Sequence, residues 1–430
     1  MISDWLSRLL ARHGIHYGWA MMAVTFLTAL VVAGAVGAPG VFILPLQQEF
    51  GWSTAEISSA LSVRLLLFGL MAPFAAALLN RYGLRNVTLA SLLIVVAGMA
   101  VSLAMTQLWQ LLLLWGFVVG FGTGLTALVL GATIAARWFS ARRGLVVGII
   151  TASSATGQLV FLPLLASLTE HLGWRLALGA MCAVLAIAAL AVLLIMRDRP
   201  SDIGLRPFGD EGDAPQSAAP PPGSIFAAAL GTLRDAARTR IFWVLFVTFF
   251  ICGASTNGLI QVHLIPMCAD FGIPQVQAAG LLAAMGIFDF FGTILSGWLS
   301  DRYDNRLLLF WYYGLRGLSL LFLPMTDFTF YGLSIFAVFY GLDWIATVPP
   351  TVRLTAAHFG AERAGLVFGW IFAGHQIGAA AAAFGAGWSR TVLSSYLPAF
   401  MVAGALCVAA ALMVLSLIRS AKPAARAATA

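Results

Sequence analysis

Charge is what this sequence has least of. Only 10% of its 430 residues are Asp, Glu, Lys or Arg, while 61% are hydrophobic. Soluble domains carry about 25% charged residues, so a soluble globular protein is excluded. Lysine is almost absent: of 24 cationic side chains a single one, Lys422, is a lysine. That arginine bias, with abundant alanine, points to a GC-rich bacterial source. Cysteine is scarce too. Cys182, Cys252, Cys268 and Cys407 lie in or at the ends of apolar runs with no CxxC spacing. They read as small packing residues rather than a disulfide framework or a metal site. No nucleophile–base arrangement, metal-spaced group or cofactor motif appears, so neither an enzyme nor a cofactor is expected. A signal peptide is not expected either, because the first apolar run is too long for one.

What the chain does have is long apolar runs, giving a mean hydropathy of +0.93. They last about 20 residues or more and lack period-two alternation, so they predict membrane-crossing helices rather than a barrel. Twelve spans are expected at 17–45, 54–79, 86–106, 108–136, 143–168, 173–196, 241–267, 276–300, 307–325, 328–352, 364–388 and 393–418. Between the sixth and seventh lies a segment containing GDEGDAPQSAAPPPGS, whose composition predicts a flexible linker. With the N-terminus inside, cytoplasmic segments hold 20 cations and outer segments only Arg175 and Arg390, while Arg64 and Arg316 lie deep in spans. This asymmetry fixes both termini in the cytoplasm. It also accounts for the net charge of +7 as topology, so no nucleic-acid partner is expected.

An internal repeat runs at one fixed offset. Leu44–Gly51 (LPLQQEFG) resembles Ile265–Gly272 (IPMCADFG), Asn80-Arg81-Tyr82 lies over Asp301-Arg302-Tyr303, and Arg142–Gly148 (RRGLVVG) resembles Arg363–Gly369 (RAGLVFG). All three matches are 221 residues apart. The fold class that follows is an all-α membrane protein of twelve transmembrane helices in two pseudo-symmetric six-helix halves. Residues 1–196 form the N-terminal half, 197–240 a cytoplasmic linker, and 241–430 the C-terminal half with a short cytoplasmic tail. Transporters whose halves rock about a midplane site are built this way.

The stretch from Gly297 to Arg302, GWLSDR, matches most of the GxLxDR loop motif of the major facilitator superfamily, which the chain resembles along nearly its whole length. The copy after span two is degraded, with Ala76 for the glycine and Asn80 for the aspartate. Asn80, Arg81, Gly297, Asp301 and Arg302 are thereby implied to be a conformational loop motif. Within the superfamily the chain is similar to the monocarboxylate transporter branch. The likeness lies in His16-Tyr17-Gly18-Trp19 at span one and in Arg137–Gly148 (RWFSARRGLVVG) at span five. The resemblance implies transport of a small organic anion, often with a proton. Span five has GIITASSATG in place of the Gly-Pro motif of drug antiporters.

Some charges do not belong in lipid, where each costs at least about 2.5–3.5 kcal/mol. Asp289 lies ~18 Å from either end of span eight at 1.5 Å per residue. Arg64, Arg316 and Asp343 are deep in spans two, nine and ten. Their mates at the repeat offset are Phe68 for Asp289, Met285 for Arg64, Val95 for Arg316 and Gly122 for Asp343, so the charges are not part of the repeated scaffold. Gly286, Asp289, Thr293 and Gly297 share a small polar stripe within about 80°. The repeat mate Met285 turns Arg64 inward by the same wheel. Burial penalises a charged carboxylate, which makes Asp289 a candidate proton carrier; the alternative is a permanent pair with Arg316. Arg316 and Asp343, on consecutive spans, are expected to pair. In the branch it resembles, an arginine follows the span-eight aspartate by four residues and a lysine lies in span one. Thr293 stands at that arginine position, and no lysine precedes Lys422. An anion would then be met by Arg64 or Arg316, whose fork suits a carboxylate. Asn257, His263, His375 and Gln376 are further candidates to bind substrate. No metal site is expected.

The expected activity is movement of a small organic anion, in the monocarboxylate class, across a bacterial inner membrane by alternating access and coupled to protons. No phosphate-binding loop is present, because the Gly-rich GFVVGFGTGL lies inside a span and reads as close helix packing. The partners are thus a small organic solute, protons and the lipid bilayer, for a chain expected to act as a monomer. One rival is an efflux porter for amphipathic compounds, which would be insensitive to loss of Arg64. Another is a membrane solute sensor, which would need a signalling domain beyond a linker and a ten-residue tail.

Overall fold

The computed structural model describes residues 2–126, 129–210 and 225–420. Among them, eleven segments are helical, long and apolar enough to cross a membrane. The remaining expected span is the 30-residue helix Arg143–Leu172. The fold is therefore the expected all-helical, multi-pass one, and several spans are longer than hydropathy alone suggested. Span one runs Gly18–Phe50 and span ten Phe330–Phe359, while span eleven runs Ala361–Leu393.

Local sequence sets the helix ends. Span two begins at a capping box: Ser53 Oγ accepts the Glu56 N–H at 3.2 Å, and the Glu56 carboxylate accepts the Ser53 N–H at 2.8 Å. Spans two and three are joined through a single residue, Gly83, at φ +88°. A side chain there would collide with the Asp198 carboxylate, so only glycine fits the turn.

Two spans are broken where the sequence suggested continuity. Span one is divided at Ala38 into Gly18–Gly37 and Pro39–Phe50. Span ten is divided into Phe330–Asp343 and Val348–Phe359, with Trp344–Thr347 leaving the helix just ahead of Pro349-Pro350. Proline lacks an N–H and crowds the preceding turn, which is the physical cause in both.

The repeat offset reappears in the packing. A Cβ at Gly120 would lie 2.9 Å from the Arg64 Cα, and a Cβ at Gly341 would lie 2.9 Å from the Met285 Cα. Each member of one contact lies 221 residues from its counterpart in the other. On the side that the charge asymmetry makes outer, a Cβ at Gly40 would lie 2.9 Å from the carbonyl oxygen of its own repeat mate, Gln261. The halves also meet along spans two and eleven, where Phe68 crosses Phe372 edge-on at 6.0 Å.

The linker needs correction. Its first part, Arg197–Asp210, is ordered and straps one end of the N-terminal half. Phe208 N–H donates to the Trp138 carbonyl at 2.8 Å, and Ser140 N–H donates to Phe208 at 2.9 Å. The Arg206 carbonyl takes His16 Nε2 at 3.0 Å, and Asp198 accepts the Arg85 N–H at 2.9 Å. Its last part forms the helix Ile225–Ala236, whose Ala229 carbonyl accepts Trp370 Nε1–H at 2.9 Å. Low-hydropathy composition hid these anchors. The Pro-rich remainder, 211–224, lies outside the described residues. A short amphipathic helix, Ile2–Arg12, precedes span one.

Candidate functional site

The break in span ten is the point where the deep charges of the C-terminal half converge. A broken helix leaves carbonyls and N–H groups without partners, and in an apolar interior each must be satisfied by something else. Proline at 349 and 350 removes the N–H groups that Ile345 and Ala346 carbonyls would use. The Ile345 carbonyl takes the Val348 N–H at 2.8 Å instead, and the Ala346 carbonyl takes Ser296 Oγ–H from span eight at 2.5 Å.

Arg316, buried on span nine, closes the upstream side. Its Nε meets Asp343 Oδ2 at 2.6 Å. Its Nη2 donates to the Asp343 carbonyl and, at 3.1 Å, to the Trp344 carbonyl. Its Nη1 donates to Cys252 Sγ at 2.9 Å, and that sulfur lies 3.3 Å from Thr347 Oγ1. A cation at the carbonyl end of a helix segment is also favoured by the segment's dipole. The Tyr313 and Tyr340 rings stand 5.9 and 6.0 Å from the guanidinium carbon. Tyr340 in turn donates to the Ser255 carbonyl of span seven at 2.7 Å.

Asp289 closes the downstream side and is only 5% exposed. Its Oδ1 accepts the Ile345 N–H at 2.8 Å and the Thr293 hydroxyl at 3.1 Å. Among the described residues no cation lies within ion-pair distance of it. Of the two pairings open to Arg316, the structure has the one with Asp343. Asp289 is thus a buried carboxylate held by neutral donors alone. Asp343 keeps one oxygen, Oδ1, with no hydrogen-bond partner among the described residues.

The other candidates do not join this cluster. Arg64 is buried in the N-terminal half, where Nη1 reaches the Ala35 carbonyl at 3.4 Å and Nε has no hydrogen-bond partner among the described residues. His263 Nε2–H donates to the Ala383 carbonyl at 2.8 Å, and its ring faces Tyr396. His375 lies between the rings of Phe249 and Phe372, at 4.8 and 5.7 Å. The neighbouring Gln376 is fully buried at the seam of spans two and eleven, and neither of its amide atoms has a hydrogen-bond partner among the described residues. Asn257 is half-buried on a π-helical turn, Ala254–Ile260, of span seven. At the cytoplasmic loop Asp301 pairs with Arg353, and the Arg302 guanidinium sits 4.1 Å over the Trp298 ring. Gly297 has open space around it. Arg81 stacks on Tyr82 at 5.5 Å, and the Asn80 side chain lies outside the described residues.

Ser296 and Cys252 were missed as parts of the cluster. The signal for them was the Pro349-Pro350 pair, which announces orphaned carbonyls about four residues upstream.

A family model of the Major Facilitator Superfamily matches residues 24–383. The Bacillus subtilis (strain 168) protein YcxA, an uncharacterized transporter of that type, is 23% identical over 387 residues, covering 88% of this chain and 90% of its own. Monocarboxylate transporter 13 of Bos taurus is 27% identical over 397 residues, covering 91% and 87%. Monocarboxylate transporter 12-B of Danio rerio is 24% identical over 428 residues, covering 93% and 87%. A solved structure, a mutant of the nucleoside transporter NupG, superposes with a TM-score of 0.74 over 94% of this chain and 100% of its own. At 11% identity that likeness is one of fold alone. With a family model spanning most of its length and relatives covered nearly end to end, the chain is a transporter belonging to the Major Facilitator Superfamily.

Proposed function

We propose that this transporter moves a small organic anion of the monocarboxylate class across a bacterial plasma membrane, together with a proton. The observation that supports the reading is Asp289. It lies deep in span eight and accepts two neutral donors, while the neighbouring arginine is committed to Asp343. A carboxylate so placed can take a proton without breaking an ion pair. Protonation also weakens its hold on the Ile345 N–H, so the proton and the joint in span ten are coupled through one hydrogen bond. The low-identity likeness to monocarboxylate transporters supports the solute class. In this reading the two six-helix halves, 1–196 and 241–430, rock about the seam of spans two and eleven. Asn257, His263, His375 and Gln376 are the groups proposed to meet the solute. Arg316 and Asp343 hold the joint, and Asp301 and Arg302 steady the cytoplasmic loop.

The test is uptake of labelled lactate into proteoliposomes, with and without an inward proton gradient, for wild type and Asp289→Asn. Gradient-driven uptake in wild type that Asn abolishes is expected. Gradient-driven uptake that persists in the Asn variant removes Asp289 from the proton path. No uptake by folded wild type removes lactate, and export of amphipathic compounds then becomes the better reading.

A further inference from the structure

The N-terminal half carries a deep arginine with no aspartate beside it, and the backbone of span one explains what holds it. In an unbroken helix the Ala35 carbonyl would accept the N–H of residue 39. That residue is Pro39, which has none. Ala38 nevertheless keeps helical angles, φ −51° and ψ −37°, so the orphaned carbonyl still points along the helix axis. Arg64 Nη1 donates to that carbonyl at 3.4 Å. The guanidinium borders a small cavity between Pro39, Phe42, Met99 and Trp115, with room for about one water, too small for an organic anion. Arg316 does the same for the Asp343 and Trp344 carbonyls at the break in span ten. The two arginines are not repeat mates, yet each reaches a carbonyl beside a break in a span.

We infer that Arg64 is a positioning residue that caps the Ala35 carbonyl and so sets the joint of span one, with Pro39–Phe50 as the segment it aims. That segment makes the outer contacts between the halves. Gly40 lies against the Gln261 and Val262 carbonyls, and Gln275 Nε2 donates to the Val41 carbonyl. Loosening the joint therefore loosens the outer closure. This goes beyond the anion reading of Arg64 and needs no substrate to be tested.

The experiment is a double-mutant rescue in the purified full-length protein. Arg64→Met leaves the carbonyl unsatisfied, and Pro39→Ala returns an N–H to it. Arg64→Met is expected to lower Tm by about 5 °C. Pro39→Ala alone is expected to change it by less than about 2 °C, and the double variant to regain most of the loss. A double variant no more stable than Arg64→Met overturns the inference. If Arg64→Met cannot be purified, recovery of folded protein on adding Pro39→Ala supports it. If neither is recovered, Arg64→Lys with and without Pro39→Ala decides by the same comparison. Once a transported anion is in hand, the kinetics give a second readout. Arg64→Met should lower turnover with KM held. A tenfold rise in KM that Pro39→Ala does not relieve would assign Arg64 to the solute and overturn the capping role.

Discussion

Arg316→Met is the sharpest perturbation of the span-ten joint. The substitution keeps most of the apolar stem, so the cavity term is small, and it removes four hydrogen bonds at once: to Asp343 Oδ2, the Asp343 and Trp344 carbonyls, and Cys252 Sγ. Removing one partner of a buried ion pair costs about 3–5 kcal/mol, because the other charge is left uncompensated. Asp343→Asn removes the charge of the partner but leaves Arg316 its two carbonyls, and should cost about 1.5–3 kcal/mol. In the double variant no charge is stranded, so its loss should fall short of the sum by at least ~1.5 kcal/mol. The assay is equilibrium unfolding or thermal melting of the four proteins in one detergent. Strictly additive losses would refute the pairing, since they would mean that neither group senses the other.

Other expectations follow from particular contacts. Asp289→Asn keeps an oxygen for the Ile345 N–H, so it should fold normally by melting and light scattering while transport loses its response to a proton gradient. Gly292→Ala places a methyl against the Leu342 carbonyl on span ten; backbone cannot give way as a flexible side chain does, so a loss of about 1–3 kcal/mol is expected in the same melting assay. Asp304 starts span nine by accepting the Arg306 N–H at 2.9 Å. The Arg306 side-chain hydrogen bond holds its carboxyl below the usual range. Asp304→Ala should cost about 1 kcal/mol at neutral pH. That difference should shrink as pH falls through the depressed value, because the stabilising charge exists only above it.

The spans were legible because lipid tolerates little but apolar side chains over about 20 residues. The repeat was legible because three short matches share one offset. Arg316 and Asp343 could be paired from adjacency of spans nine and ten, and the repeat mate Met285 turned Arg64 into the protein. The breaks in spans one and ten were not legible from hydropathy, since Trp344–Thr347 is as apolar as the helix around it. Proline positions held that information, and they become informative only once backbone hydrogen bonds are counted one by one. The ordered part of the linker was hidden for the opposite reason. Arg197–Asp210 anchors through backbone hydrogen bonds, one carboxylate and a few apolar side chains such as Phe208 against Trp19 and Phe139, too few to stand out in a hydropathy profile.

The Gly120–Arg64 and Gly341–Met285 contacts separate what the two halves share from what they do not. The same close approach of two backbones occurs in both halves, yet one copy presents a guanidinium and the other a thioether. The helix crossing is therefore common to both halves, and the charge belongs to one of them. By the same comparison Asp289 stands where the first half has Phe68. The molecule is a symmetric frame on which each half has written its own chemistry.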